Sequence, residues 1–275
     1  MRNLAWLFIA VTGATPFLAT VLGYGGTLFL MAASMLGFAA VHGTVRYGAK
    51  PIALFLVAGF IVGNFFEDLS IATGFPYGLF HHLPVAGPKI FYVPIAVGLT
   101  HAAAAYLAWS MGSLLLGRAD QDRRATGAIA IALVGAFVVT GWDATGDAAA
   151  ATITRGWVYP HGGGYFGVPL TNFLGWLLAG FCYTLAGGLC LRGATVATQP
   201  RSWSLQPPAL LFLLAMQPIL GLALPDRVVQ DPSGQSWHSL ALFQTETVAA
   251  LIGPIFASVL AVVLALRTPK DGARR

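Results

Sequence analysis

Long apolar runs constrain the fold of this sequence more than any other feature. Several reach the roughly 20 residues that a helix needs to cross a bilayer. Only 9% of the residues are charged, against about 25% in soluble domains. We therefore expect an all-α integral membrane protein, with a polytopic bundle as one transmembrane domain over residues 1–275. Eight membrane helices are predicted, near residues 4–22, 25–42, 51–72, 91–116, 125–143, 166–191, 207–225 and 239–266.

The first apolar run has two interpretations. Arg2 precedes it and small residues follow it, as in a secretory signal peptide. We favour a first membrane helix, because the apolar run continues almost without a break and no polar cleavage region follows it.

The basic residues predict the orientation of the bundle. With eight spans and a cytoplasmic N-terminus, 12 of the 15 Lys and Arg residues fall on the cytoplasmic side, as the positive-inside rule expects. These are Arg2, Arg46, Lys50, Arg118, Arg123, Arg124, Arg192, Arg201, Arg267, Lys270, Arg274 and Arg275. Both termini are therefore predicted to be cytoplasmic, in a multi-pass protein of a prokaryotic plasma membrane. The net charge of +5 reflects orientation and lipid contact, and nucleic acid is not an expected partner.

Most acidic residues lie at the opposite end. Asp120, Asp122 and Asp271 are on the cytoplasmic side, and the other seven Asp and Glu residues are toward the outside. The connections 73–90 and 144–165, rich in Gly, Pro and aromatic residues, lie on that outer side too. We expect any chemistry at the outer end.

Five polar residues on four predicted helices reach a common depth in the outer part of the membrane. They are Glu67, Asp68, Asp143, Asn172 and Glu246. Ionisable residues are costly inside a bilayer and are functional candidates by default. We expect these side chains to line one cavity, with Glu67, Asp143 and Glu246 as catalytic candidates. Structural alternatives stay open for each: an ion pair with Lys89, a solvated helix end, or an interhelical hydrogen bond.

Glu67 and Asp68 are expected to have different roles. Adjacent helix positions point about 100° apart, so at most one of the two faces a given spot squarely. Glu67 is deeper, longer and preceded by Phe65 and Phe66, so we expect it to be the acid. Asp68 is expected to hold the turn that follows.

Aromatic and polar side chains near these acids are candidates for binding an apolar ligand. The set is Asp68, Tyr77, His81, Trp142, Tyr165, Phe166, Asn172 and Trp176. The alternative is the aromatic belt of a membrane interface. Adjacent histidines His81 and His82 lack a recognisable metal-ligand spacing, so no metal is expected. Cys182 and Cys190 share a predicted helix about 12 Å apart, too far for a disulfide.

The order of several motifs resembles a known family. Glu67 is followed by TGFPYG (73–78), a Gly-Pro pair (87–88), Asp143 and YFGVPLTNFLGW (165–176). This order resembles the carotenoid biosynthesis membrane proteins that include the carotenoid C-1′,2′-hydratases and the bisanhydrobacterioruberin hydratases. The resemblance covers roughly residues 60–190.

The resemblance implies a reaction and its partners. The family adds water across the terminal double bond of an acyclic carotenoid end group, which requires no cofactor. It implies a carotenoid substrate, membrane lipid around the protein, and other enzymes of the pathway as partners. Another end-group reaction such as cyclisation, a proton-coupled transporter, and a non-catalytic carotenoid-binding protein are the alternatives.

Overall fold

The chain is mostly helical in the computed structural model, which describes residues 1–122, 124–198 and 200–267. Its helices are α1 Arg2–Ala14, α2 Ala19–Tyr47, α3 Ala49–Thr73, α4 Ile95–Leu115, α5 Ala125–Asp143, α6 Leu170–Cys190, α7 Arg201–Gly221 and α8 Ser239–Arg267. Three are interrupted. Gly23 breaks α2, α7 consists of the short segments Arg201–Ser204, Gln206–Ala215 and Gln217–Gly221, and α8 contains a π-turn at Leu251–Ile255.

Short antiparallel strand pairs fold the connections between helices. The strands are β1 His81–His82, β2 Lys89–Ile90, β3 Val93–Pro94, β4 Trp157–Val158, β5 Val228–Gln230 and β6 Ser236–His238. β1 pairs with β4, β2 with β3, and β5 with β6. The β1–β4 pair joins the connection after α3 to the connection after α5, with His82 opposite Trp157. Both connections therefore lie at one end of the bundle, which we call the loop-rich end.

The helices agree with an all-α membrane protein. Within the described residues, six helices are long and apolar enough to cross a membrane: Val21–Tyr47, Ala49–Thr73, Ala125–Asp143, Leu170–Cys190, Arg201–Gly221 and Ser239–Arg267. The predicted first span corresponds to α1, which has only 13 residues. The predicted fourth span corresponds to α4, whose Thr, His and Ser residues lower its hydropathy.

The count of eight spans and the cytoplasmic placement of both termini stay predictions. Part of the charge pattern behind them, Arg123, Lys270, Asp271, Arg274 and Arg275, lies outside the described residues.

Helix α4 is at the centre of the bundle. It packs against α2, α3, α5 and α6, and its residues Thr100–Ser113 are buried on every side. This is possible because the run AAAA at 102–105 has small side chains, which let neighbouring helices approach closely. Close approach is also visible at Gly135 of α5, where an added Cβ would meet the backbone of Ala108.

Helix α3 presents a narrow buried stripe to this centre. The stripe consists of Ile52, Phe55, Gly59, Gly63, Glu67 and Ser70, whose spacing of three and four residues is that of one helix face. Gly63 is required where it stands, because a Cβ there would collide with the side chain of His101 on α4. The stripe brings Glu67 against α4 one turn later.

Candidate active site

A cavity of about 220 Å³ opens between the helices at the loop-rich end. Helices α2 to α7 and the connections after α3 and α5 all contribute to its wall. Its acidic and imidazole side chains, together with one asparagine, are Glu67, His82, His101, Asp143, Asp147 and Asn172. The rest of the wall is mainly aromatic and aliphatic.

Glu67 is held between two buried histidines. One carboxylate oxygen, Oε2, lies 3.0 Å from Nε2 of His82, and the other, Oε1, lies 2.9 Å from Nε2 of His101. All three side chains are buried. Among the described residues, neither histidine Nδ1 atom has a hydrogen-bond partner. Glu67 thus accepts a hydrogen bond at each oxygen, which suits a carboxylate and gives each imidazole a fixed orientation.

His82 reaches Glu67 because two elements hold its backbone. It lies in β1, paired with β4, and its carbonyl oxygen accepts a hydrogen bond of 2.7 Å from Nζ of Lys89. Side chains alternate along a strand, so His82 points inward while the preceding His81 is exposed.

A second polar cluster is built around Asn172 near the start of α6. Its amide nitrogen donates to Asp143 Oδ2 at 3.0 Å and to Asp147 Oδ2 at 2.9 Å. Its amide oxygen accepts from the Tyr159 hydroxyl at 2.9 Å. Trp157 donates to the other oxygen of Asp147 at 2.9 Å. Asn172 therefore clamps two carboxyl groups side by side.

Asp147 lies in the connection after α5, four residues beyond Asp143, and is buried. Burial raises the pKa of its carboxyl well above the usual range; the hydrogen bond from Trp157 opposes this shift, and the charge of Glu67 adds to it. Two carboxyl groups this close titrate as a pair. The pair is therefore able to hold a proton near neutral pH.

Aromatic rings separate the two polar clusters. The Trp176 ring lies 5.2 Å from the His101 ring and 6.4 Å from the Trp142 ring, centroid to centroid. Tyr77 lies 6.2 Å from Trp176 on the same wall. Aromatic faces attract cations through their quadrupole, so this wall is suited to a positively charged intermediate between the two clusters.

Comparison with protein families identifies the chain. The family model described as carotenoid biosynthesis protein matches residues 24–228. The chain belongs to the carotenoid biosynthesis protein family. The match includes both polar clusters and every motif that carried the resemblance in the sequence. No curated protein and no solved structure was found to match the chain.

Six of the eleven residues predicted for the site of this family member line the cavity: Glu67, Tyr77, Asp143, Trp142, Asn172 and Trp176. Glu67 and Asp68 are separated as helix geometry predicts. Glu67 is on the buried stripe of α3, whereas Asp68 is half-buried and accepts a hydrogen bond of 3.1 Å from the backbone of Tyr92.

The structure places the other predicted residues outside the cavity wall: Asp68, His81, Tyr165, Phe166 and Glu246. The Tyr165 hydroxyl donates to the carbonyl oxygen of Ala144, and Phe166 packs on Trp237, so both brace the connection behind the site. Glu246 is fully buried, and its Oε1 accepts a hydrogen bond of 2.9 Å from the backbone nitrogen of Ala149.

Five polar or aromatic residues of the site were not among the predicted site residues: His82, His101, Asp147, Trp157 and Tyr159. Two of them carried a usable signal. His101 is an ionisable residue in the middle of an alanine-rich membrane helix, the kind of position that is functional by default. Asp147 follows Asp143 at a spacing of four, which keeps both on one side of a helical turn.

Within the part of the chain that the structure describes, no three His, Cys, Asp or Glu residues form a cluster able to bind a metal ion.

Proposed function

We propose that this protein adds water across the terminal C-1,2 double bond of an acyclic carotenoid end group, as a hydro-lyase of the cell membrane. Membership in the family supports a carotenoid substrate. The observation that supports hydration most directly is the pair of polar clusters on one cavity wall, one able to hold a proton and the other able to accept one.

In the first step, an acid protonates the double bond, and we assign this role to Asp143. Asp143 lines the cavity, half-buried, with Asn172 bound to one of its oxygens. A proton held by the Asp143–Asp147 pair is transferred from Asp143 to C-2 of the substrate. The electrons of the double bond form the new C–H bond, and C-1 becomes a tertiary cation. The faces of Trp142 and Trp176 stabilise this cation.

In the second step, water adds to the cation and a base takes its proton, and we assign this role to Glu67. A water molecule attacks C-1 and forms the C–O bond. Its excess proton passes to Glu67, with His82 and His101 at its two oxygens to share the charge. Carboxylate–histidine units are effective general bases. The proton returns to the aspartate pair between turnovers. The product gains one water, and no oxidant or reductant takes part.

Cyclisation starts from the same cation, with an internal double bond in place of water as the nucleophile. Ring closure moves the positive charge onto the ring, and loss of a ring proton to a base completes the cyclisation. Both reactions therefore use an acid and a base, and the mass of the product separates them.

Expression in a lycopene-producing host, followed by mass analysis of the pigments, tests the proposal. We expect a mass gain of one water per modified end group, and no gain with the Asp143→Asn variant. A product of unchanged mass with altered absorbance would indicate cyclisation. Unchanged pigment in the presence of folded protein would refute the proposed function.

A further inference from the structure

We infer that the cavity takes one end of a carotenoid at a time, and that the polyene leaves it along α2 and enters the bilayer beside the break between α1 and α2. This inference rests on the proposed function. It assigns Leu28 and Met31 of α2 as residues that position the polyene.

The volume of the cavity excludes a whole carotenoid. Sites that enclose a drug-sized ligand usually measure about 300–1,000 Å³, whereas this cavity measures about 220 Å³. An acyclic carotenoid is about as long as the hydrocarbon core is thick, ~30 Å. The cavity therefore encloses the end group and the first part of the polyene, and the rest of the carotenoid lies outside the cavity.

One face of α2 indicates the direction in which the polyene leaves the cavity. Tyr24, Leu28 and Met31 line the cavity at a spacing of four and three residues. Tyr24 packs against Gly156, next to Trp157, which donates a hydrogen bond to Asp147. Met31 is seven residues farther from the loop-rich end, about 10 Å along the helix. The cavity thus extends from the polar clusters toward the membrane interior.

The wall of the cavity reaches the turn where α1 joins α2. Thr12 of α1 contacts Ser34 of α2 at 2.8 Å, so the turn that follows, Thr15–Leu18, lies near the level of Met31. Thr15 and Pro16 of this turn line the cavity.

The residues beside this turn face outward. The side chains of Phe17 and Val21 are 69% and 82% exposed, while the lining residues Leu28 and Met31 are only half-buried. In a bilayer these apolar side chains contact lipid, which is where a carotenoid dissolves. A second break follows at Gly23, whose φ of +67° interrupts α2. The substrate therefore enters from lipid beside the break between α1 and α2.

Protection of cysteines from a membrane-permeant maleimide tests the path without requiring turnover. Met31→Cys and Leu28→Cys are made in a background with Cys182 and Cys190 replaced by alanine. Phe29→Cys is the matched control, since Phe29 is on the same helix, 52% exposed and outside the cavity wall. We expect lycopene in the vesicles to slow labelling at positions 28 and 31 at least about fivefold relative to vesicles without it, and to leave position 29 unchanged. Equal labelling with and without lycopene at both 28 and 31 would overturn the proposal.

Conversion of lycopene provides a second measurement. Met31→Trp should reduce hydration about tenfold or more, because an added ring in a packed channel is poorly accommodated, whereas Phe29→Trp should convert at the wild-type rate. The product with one hydrated end should be released before the product with two. Direct formation of the doubly hydrated product, without a released intermediate, would contradict binding of one end at a time. If the wild type converts nothing, the proposed function fails, and cysteine protection still decides the path.

Discussion

Replacing Glu67 by glutamine separates the two halves of the proposed reaction. The substitution keeps size and shape but removes the charge and one acceptor oxygen. In the wild type both oxygens accept hydrogen bonds, from His82 and His101 at 3.0 and 2.9 Å. Glutamine offers one oxygen and one NH₂ group, so one imidazole keeps its bond and the other has to change tautomer.

The expected size of the effect follows from these contacts. A hydrogen bond to a charged group contributes about 1.5–3 kcal/mol, so loss of one should lower stability by about that amount. Removal of a general base costs about 10²- to 10⁴-fold in rate, or about 2.7–5.4 kcal/mol in the barrier. Hydration should therefore fall to a small residual rate while the protein still folds and binds pigment.

Deuterium exchange measures the first step by itself. If Asp143 is the acid, Glu67→Gln in D₂O still deuterates C-2 of lycopene, and the cation returns to alkene without capturing water. Deuterium then accumulates in unhydrated lycopene, as mass spectrometry would show. Asp143→Asn should lose both exchange and hydration. Asp68→Asn is the matched control, since Asp68 is next in sequence but outside the cavity wall.

Two results would refute this assignment of roles. Hydration at the wild-type rate by Glu67→Gln would remove Glu67 from the mechanism. Exchange that survives in Asp143→Asn and disappears in Glu67→Gln would make Glu67 the acid, which is the role expected from the sequence.

Further predictions concern stability and orientation. Asn172→Leu leaves two aspartates and a tyrosine hydroxyl without their partner, at about 1–3 kcal/mol each, so thermal unfolding in detergent should show a loss of about 3 kcal/mol or more; a loss below 1 kcal/mol would contradict the clamp. Asp120→Asn breaks a buried ion pair of 2.6 Å with Arg46 and should cost about 3–5 kcal/mol without changing the ratio of hydrated products. Burial raises the pKa of Asp120, but Arg46 lowers it to a net value below normal, so this stabilisation is present at neutral pH and is lost on strong acidification. An impermeant maleimide applied to intact cells should label Pro232→Cys and not Gln121→Cys in a background without native cysteines; the reverse would invert the predicted orientation.

The sequence predicted the features that depend on one helix at a time. The predicted span 125–143 coincides with α5, and the predicted span 166–191 contains α6. Glu67 is on the buried stripe of α3, as its apolar neighbours suggested. Length, hydropathy and helix periodicity are local properties, so they can be obtained without knowing which helices pack together.

Contacts between helices could not be predicted from these local properties. Glu246 was grouped with Asp143 by its predicted depth, but depth does not determine which way a helix is rotated about its axis. The structure turns Glu246 toward the backbone of Ala149 and away from the cavity wall. Similarly, His101 is 34 residues from Glu67 in sequence, and their contact depends on Gly63, which lets α3 approach α4.

Buried carboxyl groups occur at both ends of the bundle, and their hydrogen-bond partners differ between the two ends. At the end away from the loops, Asp120 is neutralised by Arg46 and accepts further hydrogen bonds from Tyr47 and Ser113 at 2.5 and 2.7 Å. A buried carboxylate with a guanidinium and hydroxyl partners is an arrangement that holds helices together.

The acids at the loop-rich end have other partners. Their hydrogen bonds come from histidine, asparagine and tryptophan side chains, none of which is permanently charged. Among the residues that the structure describes, no guanidinium or ammonium lies at the oxygens of these three carboxyl groups. Bringing them to one small cavity in this way costs free energy, because each charge is desolvated near the others. Proteins keep such arrangements chiefly where protons have to move. This cost supports the proposed transfer of protons between these acids and an apolar substrate.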